Sequence, residues 1–243
     1  MTMTTDDQAR AKRALLAGTY LFAEVPEQAL DQLARFAKLQ RFEAKEVLFY
    51  KSDPGKQLYV IAEGRVQLST VSTEAKELVI GILGKGEIFG ELSMLDGKQR
   101  TATATTMEPC ELIVVERRDF LPFLEMQPKA AIKLLSILAL RLRMIDQLYE
   151  DNLMLPLPVR LAKQFLALAS RYGYPVPNGV RLGLKLSQQE IGNLVSATRE
   201  SVNKQMRRWQ EEGIVEFSHG TTTLVDLPAL QQVVREAATE GGP

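Results

Sequence analysis

The chain has 243 residues, enough for one or two domains with cores of their own. Hydrophobic residues make up 45% and charged residues 25%, a globular balance that excludes a disordered or low-complexity chain. Lys plus Arg total 30 against 30 for Asp plus Glu, so any nucleic-acid signal must come from local clustering, and the single cysteine, Cys110, excludes an intrachain disulfide.

The start, "MTMTTDDQARAKRALLAG", has early acidic residues and no apolar run, so no secretory leader is read there and a cytoplasmic location is expected. Residues 26–37, "PEQALDQLARFA", predict a short amphipathic helix with Leu30, Leu33 and Phe36 on one face. Short β-rich runs follow. "VLFYKSDPGKQLYVIAEGRVQLSTV" is punctuated by Asp53-Pro54-Gly55 and Glu63-Gly64, and "ELVIGIL", "TATATTM" and "CELIVVE" continue the pattern. Short strands at regular spacing with Gly turns predict a sandwich or barrel. Cys110 falls in the last run and reads as core.

A long helix is expected to open near Pro128, because proline suits a first turn. Its apolar residues Leu135, Leu138, Leu142, Ile145 and Tyr149 step by 3, 4, 3 and 4, a heptad seam suited to a dimer helix or to packing on its own domain. Lys133, Ser136, Arg141 and Arg143 interrupt the same segment, which excludes a membrane span. The helix should end before Pro156 and Pro158, and "LPLP" reads as the hinge between domains. "PVRLAKQFLALASRYG" then predicts a helix and is followed by a Pro/Gly/Asn loop.

The stretch 187–226 carries the clearest chemistry. Ser187-Gln188-Gln189-Glu190 reads as a capping box that starts a short helix with Ile191, Leu194 and Val195 inward. Gly192 leaves room for a second helix to cross. Thr198 is a good N-cap for that helix, which should bury Val202, Met206 and Trp209. Two short helices with a tight turn are a helix-turn-helix, and "IVEFSHGTTTLVDL" adds a hairpin with His219-Gly220 at its tip, a wing. Residues 198–209 carry four positive side chains and one negative, so basic charge is focused on the second helix. Arg199 and Glu200 at its start are placed to read bases. Asn203 lies on an outer face, and Lys204 could reach a base or a phosphate. Arg207 and Arg208 suit phosphates, and His219 suits a phosphate or solvent.

One further stretch, "GEIFGELSMLDGKQRTATA" at 86–104, surrounds Phe89 with glycines, then gives Glu91 and, later, Arg100-Thr101. Glycines allow close backbone approach, and a carboxylate with an arginine suits a hydroxyl and an anion. With "SQQEIGNLVSATRESVNKQ" and the long helix, "FGEL…QRTATA" resembles the cyclic-AMP receptor/FNR family of bacterial transcription regulators over residues 20–227. The resemblance implies an α+β protein built of an antiparallel, jelly-roll-like β-roll sensor (20–126), a dimerisation helix with hinge (127–155) and a winged helix-turn-helix (156–230). It implies a homodimer on a two-fold symmetric double-stranded DNA operator, RNA polymerase as a partner, and no catalysis, membrane or resident cofactor. A cyclic nucleotide is the implied effector. Phe89 belongs to the implied pocket, Gly90 and Leu92 would offer backbone contacts, and Glu91 would accept from the ribose hydroxyl. Arg100 would pair with the cyclic phosphate and Thr101 would add a hydroxyl and an N–H. Ser187, Gln188, Gln189 and Thr198 join the implied DNA surface.

One departure matters. Where cyclic-AMP-responsive relatives carry Thr-Ser on the dimer helix, this chain has Ile145-Asp146, and Asp146 could accept from an adenine amine or a guanine edge. Cyclic AMP leads, with cyclic GMP, cyclic di-GMP or no effector left open. A structural Glu91–Arg100 pair is the alternative to a ligand site. A family iron–sulfur or haem sensor is not read, since only Cys110 and His219 are available as ligands of those types. An enzyme acting on cyclic nucleotides finds no metal cluster or nucleophile–base pair in the sequence.

Overall fold

The computed structural model describes residues 5–72 and 76–240; the first four residues of the stretch read above for a leader lie outside them. The chain divides into two compact units, Met1–Arg143 and Met144–Pro243. The first holds α1 (Thr5–Ala17), α2 (Glu27–Phe36), β1 (Lys38–Phe42), β2 (Val47–Phe49), β3 (Gln57–Glu63), β4 (Val66–Val71), β5 (Glu77–Leu83), β6 (Ile88–Phe89), α3 (Glu91–Asp96), β7 (Thr103–Thr106), β8 (Cys110–Glu116) and α4 (Arg117–Met126). Helix α5 (Pro128–Met154) begins in this unit and runs on into the second. The division between units falls within α5 rather than at "LPLP".

The strands form two four-stranded antiparallel sheets, ordered β1-β8-β3-β6 and β2-β7-β4-β5. Strands β3 and β8 are covered on both faces, which is why they read as near-continuous apolar runs. Alternate residues go to opposite sides, as the two-residue period of a strand requires. Leu112 and Val114, with Tyr59 and Ile61, pack with Val66, Phe89 and Ala104 between the sheets. Ile113 and Val115, with Leu58 and Val60, pack under Leu16, Leu30, Leu33, Phe120 and Leu134 from the helices and Phe22 from the turn between α1 and α2. Phe36 departs from expectation and is 62% exposed. Ala34 and Ala37 take the buried arc with Leu30 and Leu33, and Phe36 lies about 60° beyond Leu33 at the helical period.

The second unit holds α6 (Leu157–Tyr172), β9 (Gly173–Val176), β10 (Gly179–Lys185), α7 (Gln188–Leu194), α8 (Arg199–Glu211), β11 (Val215–Ser218), β12 (Thr221–Leu224) and α9 (Leu227–Glu240). Its sheet runs β11-β12-β10-β9. The expected Pro/Gly/Asn loop is instead the β9–β10 hairpin; Pro175 is tolerated because β9 is an edge strand. Phe165 of α6, Ile191 and Leu194 of α7 and Val202, Met206 and Trp209 of α8 are all buried in this unit. The rings of Phe165 and Trp209 lie 6.3 Å apart.

Candidate functional site

Arg100 is the centre of the first cluster. It is only 5% exposed, yet no carboxylate lies at ion-pair distance among the described residues. One terminal nitrogen, Nη1, donates to the Gly90 carbonyl at 2.8 Å and to Ser93 Oγ at 2.9 Å, and Nη2 donates to the Gln57 carbonyl at 2.9 Å. Its Nε is buried with no partner. The guanidinium carbon sits 4.1 Å from the centroid of the Phe49 ring, a cation–π arrangement. Burial pushes the Arg100 pKa down from its ordinary value, opposed by the charges of Tyr59, Glu91 and Asp53. An arginine keeps its proton regardless, so the cluster is a desolvated cation with a donor to spare.

The backbone around Arg100 explains how the site is held. Ser52 N–H donates to the Arg100 carbonyl and Arg100 N–H to the Asp53 carbonyl, both at 2.9 Å. The loop thereby brings Gly55 against the cluster, where a Cβ would overlap the Ser93 side chain and meet Arg100 Cδ at 3.0 Å. Gly90, at φ 80°, turns the chain from β6 into α3, and a Cβ there would stand 2.6 Å from Arg100 Nη1. Both positions admit only glycine without displacing Arg100.

Glu91 does not pair with Arg100. It is 2% exposed and accepts from Arg141 Nη1 at 2.6 Å, while Arg141 Nη2 donates to the Ile88 carbonyl. Sequence reading used Arg141 only to argue against a membrane span. A signal was present: Ala130, Leu134, Ile137 and Arg141 step by 4, 3 and 4 along the inward face of α5, so an arginine there needs a buried acceptor. Among the other expected ligand residues, Phe89 is fully buried and stacks on Tyr59 at 4.9 Å and 9°. Leu92 is 43% exposed, and Thr101 is also exposed. Asp146, in the second unit, is exposed, and no hydrogen bond or ion pair of its side chain is found among the described residues. The seam residues Leu135, Leu142, Ile145 and Tyr149 are each at least half exposed, with Leu138 half-buried.

The second cluster is the surface of α7 and α8. Ser187 forms the expected capping box: its Oγ accepts from Glu190 N–H at 3.2 Å, and its own N–H donates to Glu190 Oε2 at 2.7 Å. Thr198 caps α8 by accepting from Ser201 N–H at 3.2 Å. What crowds Gly192 is the turn itself, since a Cβ would meet the Ala197 carbonyl at 2.6 Å. With Val202, Met206 and Trp209 inward, Arg199, Glu200, Lys204, Arg207 and Arg208 are left exposed together. Gln188 Nε2 donates to Asn203 Oδ1 at 3.4 Å and Gln189 Nε2 to Asn193 Oδ1 at 2.9 Å. Arg208 pairs with Glu212 one turn on at 2.8 Å. His219 and Gly220 both take positive φ, 51° and 77°, as a two-residue hairpin tip requires.

Two family models match the chain. Residues 39–127 match the cyclic nucleotide-binding domain and residues 159–233 the Crp-like helix-turn-helix domain. The chain is 30% identical over 221 residues to the CRP-like cAMP-activated global transcriptional regulator of Mycobacterium tuberculosis, covering 91% of this chain and 99% of that one. It is 29% identical over 222 residues to the cyclic AMP receptor protein of Thermus thermophilus, covering 90% and 98%. The fold also matches the c-di-GMP-responsive global regulator CLP of Xanthomonas campestris, with a TM-score of 0.75 at 21% identity over 83% of this chain and 100% of that one. No described helix is long and apolar enough to cross a membrane. These domains and relatives are DNA-binding regulators rather than enzymes, and the chain belongs to the cyclic-AMP receptor protein/FNR family of transcription regulators.

Proposed function

We propose that this protein is a cytoplasmic homodimer in which a cyclic nucleotide, cyclic AMP foremost, gates binding to a palindromic operator and the recruitment of RNA polymerase. Residues 20–126 are the sensor, 127–155 the dimerisation helix and hinge, and 156–230 the DNA-reading domain. The observation that carries the reading is Arg100: a buried cation with an unpartnered Nε and no carboxylate in range among the described residues, framed by two glycines that keep side chains out. A cyclic phosphate supplies the missing anion, and the ribose hydroxyl donates to Glu91, whose second partner is Arg141. Phe89 backs the pocket, while Gly90, Leu92 and Thr101 line it.

The apolar stripe Leu135–Tyr149 packs against the same stripe of a second copy. Arg199 and Glu200 read base edges, with Lys204 beside them. Arg207, Arg208 and His219 hold phosphates, while Ser187, Gln188, Gln189, Thr198 and Asn203 complete the surface. A second reading, cyclic GMP as effector, is favoured by Asp146, an exposed acceptor able to take both donors of a guanine edge.

Calorimetric titration of the purified protein with cyclic AMP, cyclic GMP and cyclic di-GMP tests the reading. Tight binding of cyclic AMP, lost in Arg100→Ala, is expected. Heat with cyclic di-GMP alone, or with none of the three, contradicts it.

A further inference from the structure

Arg160, the fourth residue of α6, has no carboxylate partner among the described residues. Its Nη1 donates to two neutral oxygens on different elements. One is Asn152 Oδ1 in the last turn of α5, at 2.6 Å, and the other is the Val195 carbonyl, at 2.7 Å. Its Nε is buried and unpartnered. Val195 is the C-cap of α7 and is 3% exposed; Ser196, which follows at φ 52°, starts the turn into α8. A helix C-terminus leaves carbonyls without intrahelical donors, and a cation is favoured there. One guanidinium thus joins the end of the long helix to the turn that aims the DNA-reading helix.

A second tether makes an internal comparison available. Lys163, one turn along α6, pairs with Asp151 at 2.5 Å, its partner's side chain being 15% exposed. This pair also fastens α5 to α6, but Lys163 makes no hydrogen bond onward to the α7–α8 turn. Anchoring α5 and steering α8 are therefore separable: both tethers do the first, and only Arg160 does the second.

We infer that Arg160 is a positioning residue that couples the last turn of α5 to the seating of α8, through Asn152 at one end and the Val195 carbonyl at the other. One guanidinium nitrogen held between acceptors on two elements transmits a rotation or shift of the α5 terminus to the turn at Val195–Thr198. The inference rests on the reading of α8 as the DNA-contacting helix only for its functional consequence; the mechanical link itself is independent of ligand and DNA.

The test uses the full-length protein without ligand, followed by amide hydrogen exchange over residues 195–202. Arg160→Met and, should that variant fold poorly, Asn152→Ala are expected to speed exchange in this segment about tenfold, a coupling of ordinary size. Lys163→Met is expected to leave the segment unchanged while loosening the end of α5. Unchanged exchange in Asn152→Ala, or an equal effect of Lys163→Met, overturns the inference. DNA binding is then measured with and without cyclic AMP. The Arg160 and Asn152 variants should keep cyclic-AMP affinity yet lose about tenfold of the ligand-dependent gain. A wild-type protein whose DNA affinity ignores every cyclic nucleotide defeats the gating proposal instead, and leaves the exchange result standing.

Discussion

Two residues show how backbone conformation and side-chain chemistry are joined around Arg100. Gly55 has no room for a methyl group, because Ser93 and Arg100 occupy that space from two directions and both are buried. Gly55→Ala must push Ser93 away and break its 2.9 Å bond to Arg100. Overpacking of this kind costs about 1–3 kcal/mol. Thermal denaturation should show that loss, and calorimetry should show weaker nucleotide binding; an unchanged melting temperature means that the loop yields freely. Ser52, three residues earlier, is the opposite case. It holds φ 75°, where an L side chain costs about 1–2 kcal/mol and glycine costs nothing. Glycine returns about 0.5–1 kcal/mol of that through greater freedom in the unfolded chain. Ser52→Gly should therefore stabilise the protein by up to about 1 kcal/mol. A fall in melting temperature shows instead that the Ser52 side chain contributes to the fold. That "FGEL…QRTATA" carries a carboxylate and an arginine suited to a hydroxyl and an anion was legible from residue types alone. The partner of Glu91 was not, because it comes from α5 and pairing across that sequence distance depends on the fold.

At the scale of elements, α5 and α8 each divide their faces cleanly. Helix α5 buries Ala130 and Leu134 on one side and leaves Leu135, Leu142 and Tyr149 60–67% exposed on another. A row of that kind is costly in water and suits a second copy of the same helix. Leu142→Glu sets two carboxylates against each other across that interface, and sedimentation should find monomer; a stable dimer moves the interface elsewhere. On the proposed function, helix α8 separates its roles along its length. Arg199→Ala should cost about 1–3 kcal/mol on a selected operator and much less on random DNA. Arg208→Ala should weaken both alike, lowering the salt slope by about one. Equal losses on both DNAs for Arg199→Ala mean that the first turn of α8 is not in the groove. Arg208 must also leave Glu212, but that pair is 68% and 41% exposed, so the competition is weak.

Elements with strong local signals were legible. Helix α5 opens at Pro128 as its sequence predicts, β5 and β8 coincide with "ELVIGIL" and "CELIVVE", and α7 and α8 carry their caps. Elements held mainly by tertiary contacts were not. Strand β1, "KLQRF", is exposed at a sheet edge, and α4 contains Pro122, which reads locally as a breaker. Helices α1 and α3 also escaped. The first has a polar first half, and the second is only six residues long, set by Gly90 and Gly97 at its ends.

For the whole molecule, the proposed function comes down to one coupling. On that proposal the cation buried in the first unit receives an anion; α5 runs from that unit into the second, where a basic helix presents its charge to solvent. An effector changes DNA affinity only if it binds the two states of the protein differently. The direct measurement is the affinity for a duplex selected by the protein from random sequence, with and without saturating cyclic AMP, for the wild type and for Arg100→Ala. The account predicts a gain of at least about fivefold for the wild type and none for Arg100→Ala, whose ligand-free affinity should match the wild type's. Equal wild-type affinity with and without every cyclic nucleotide, or a full response in Arg100→Ala, contradicts it.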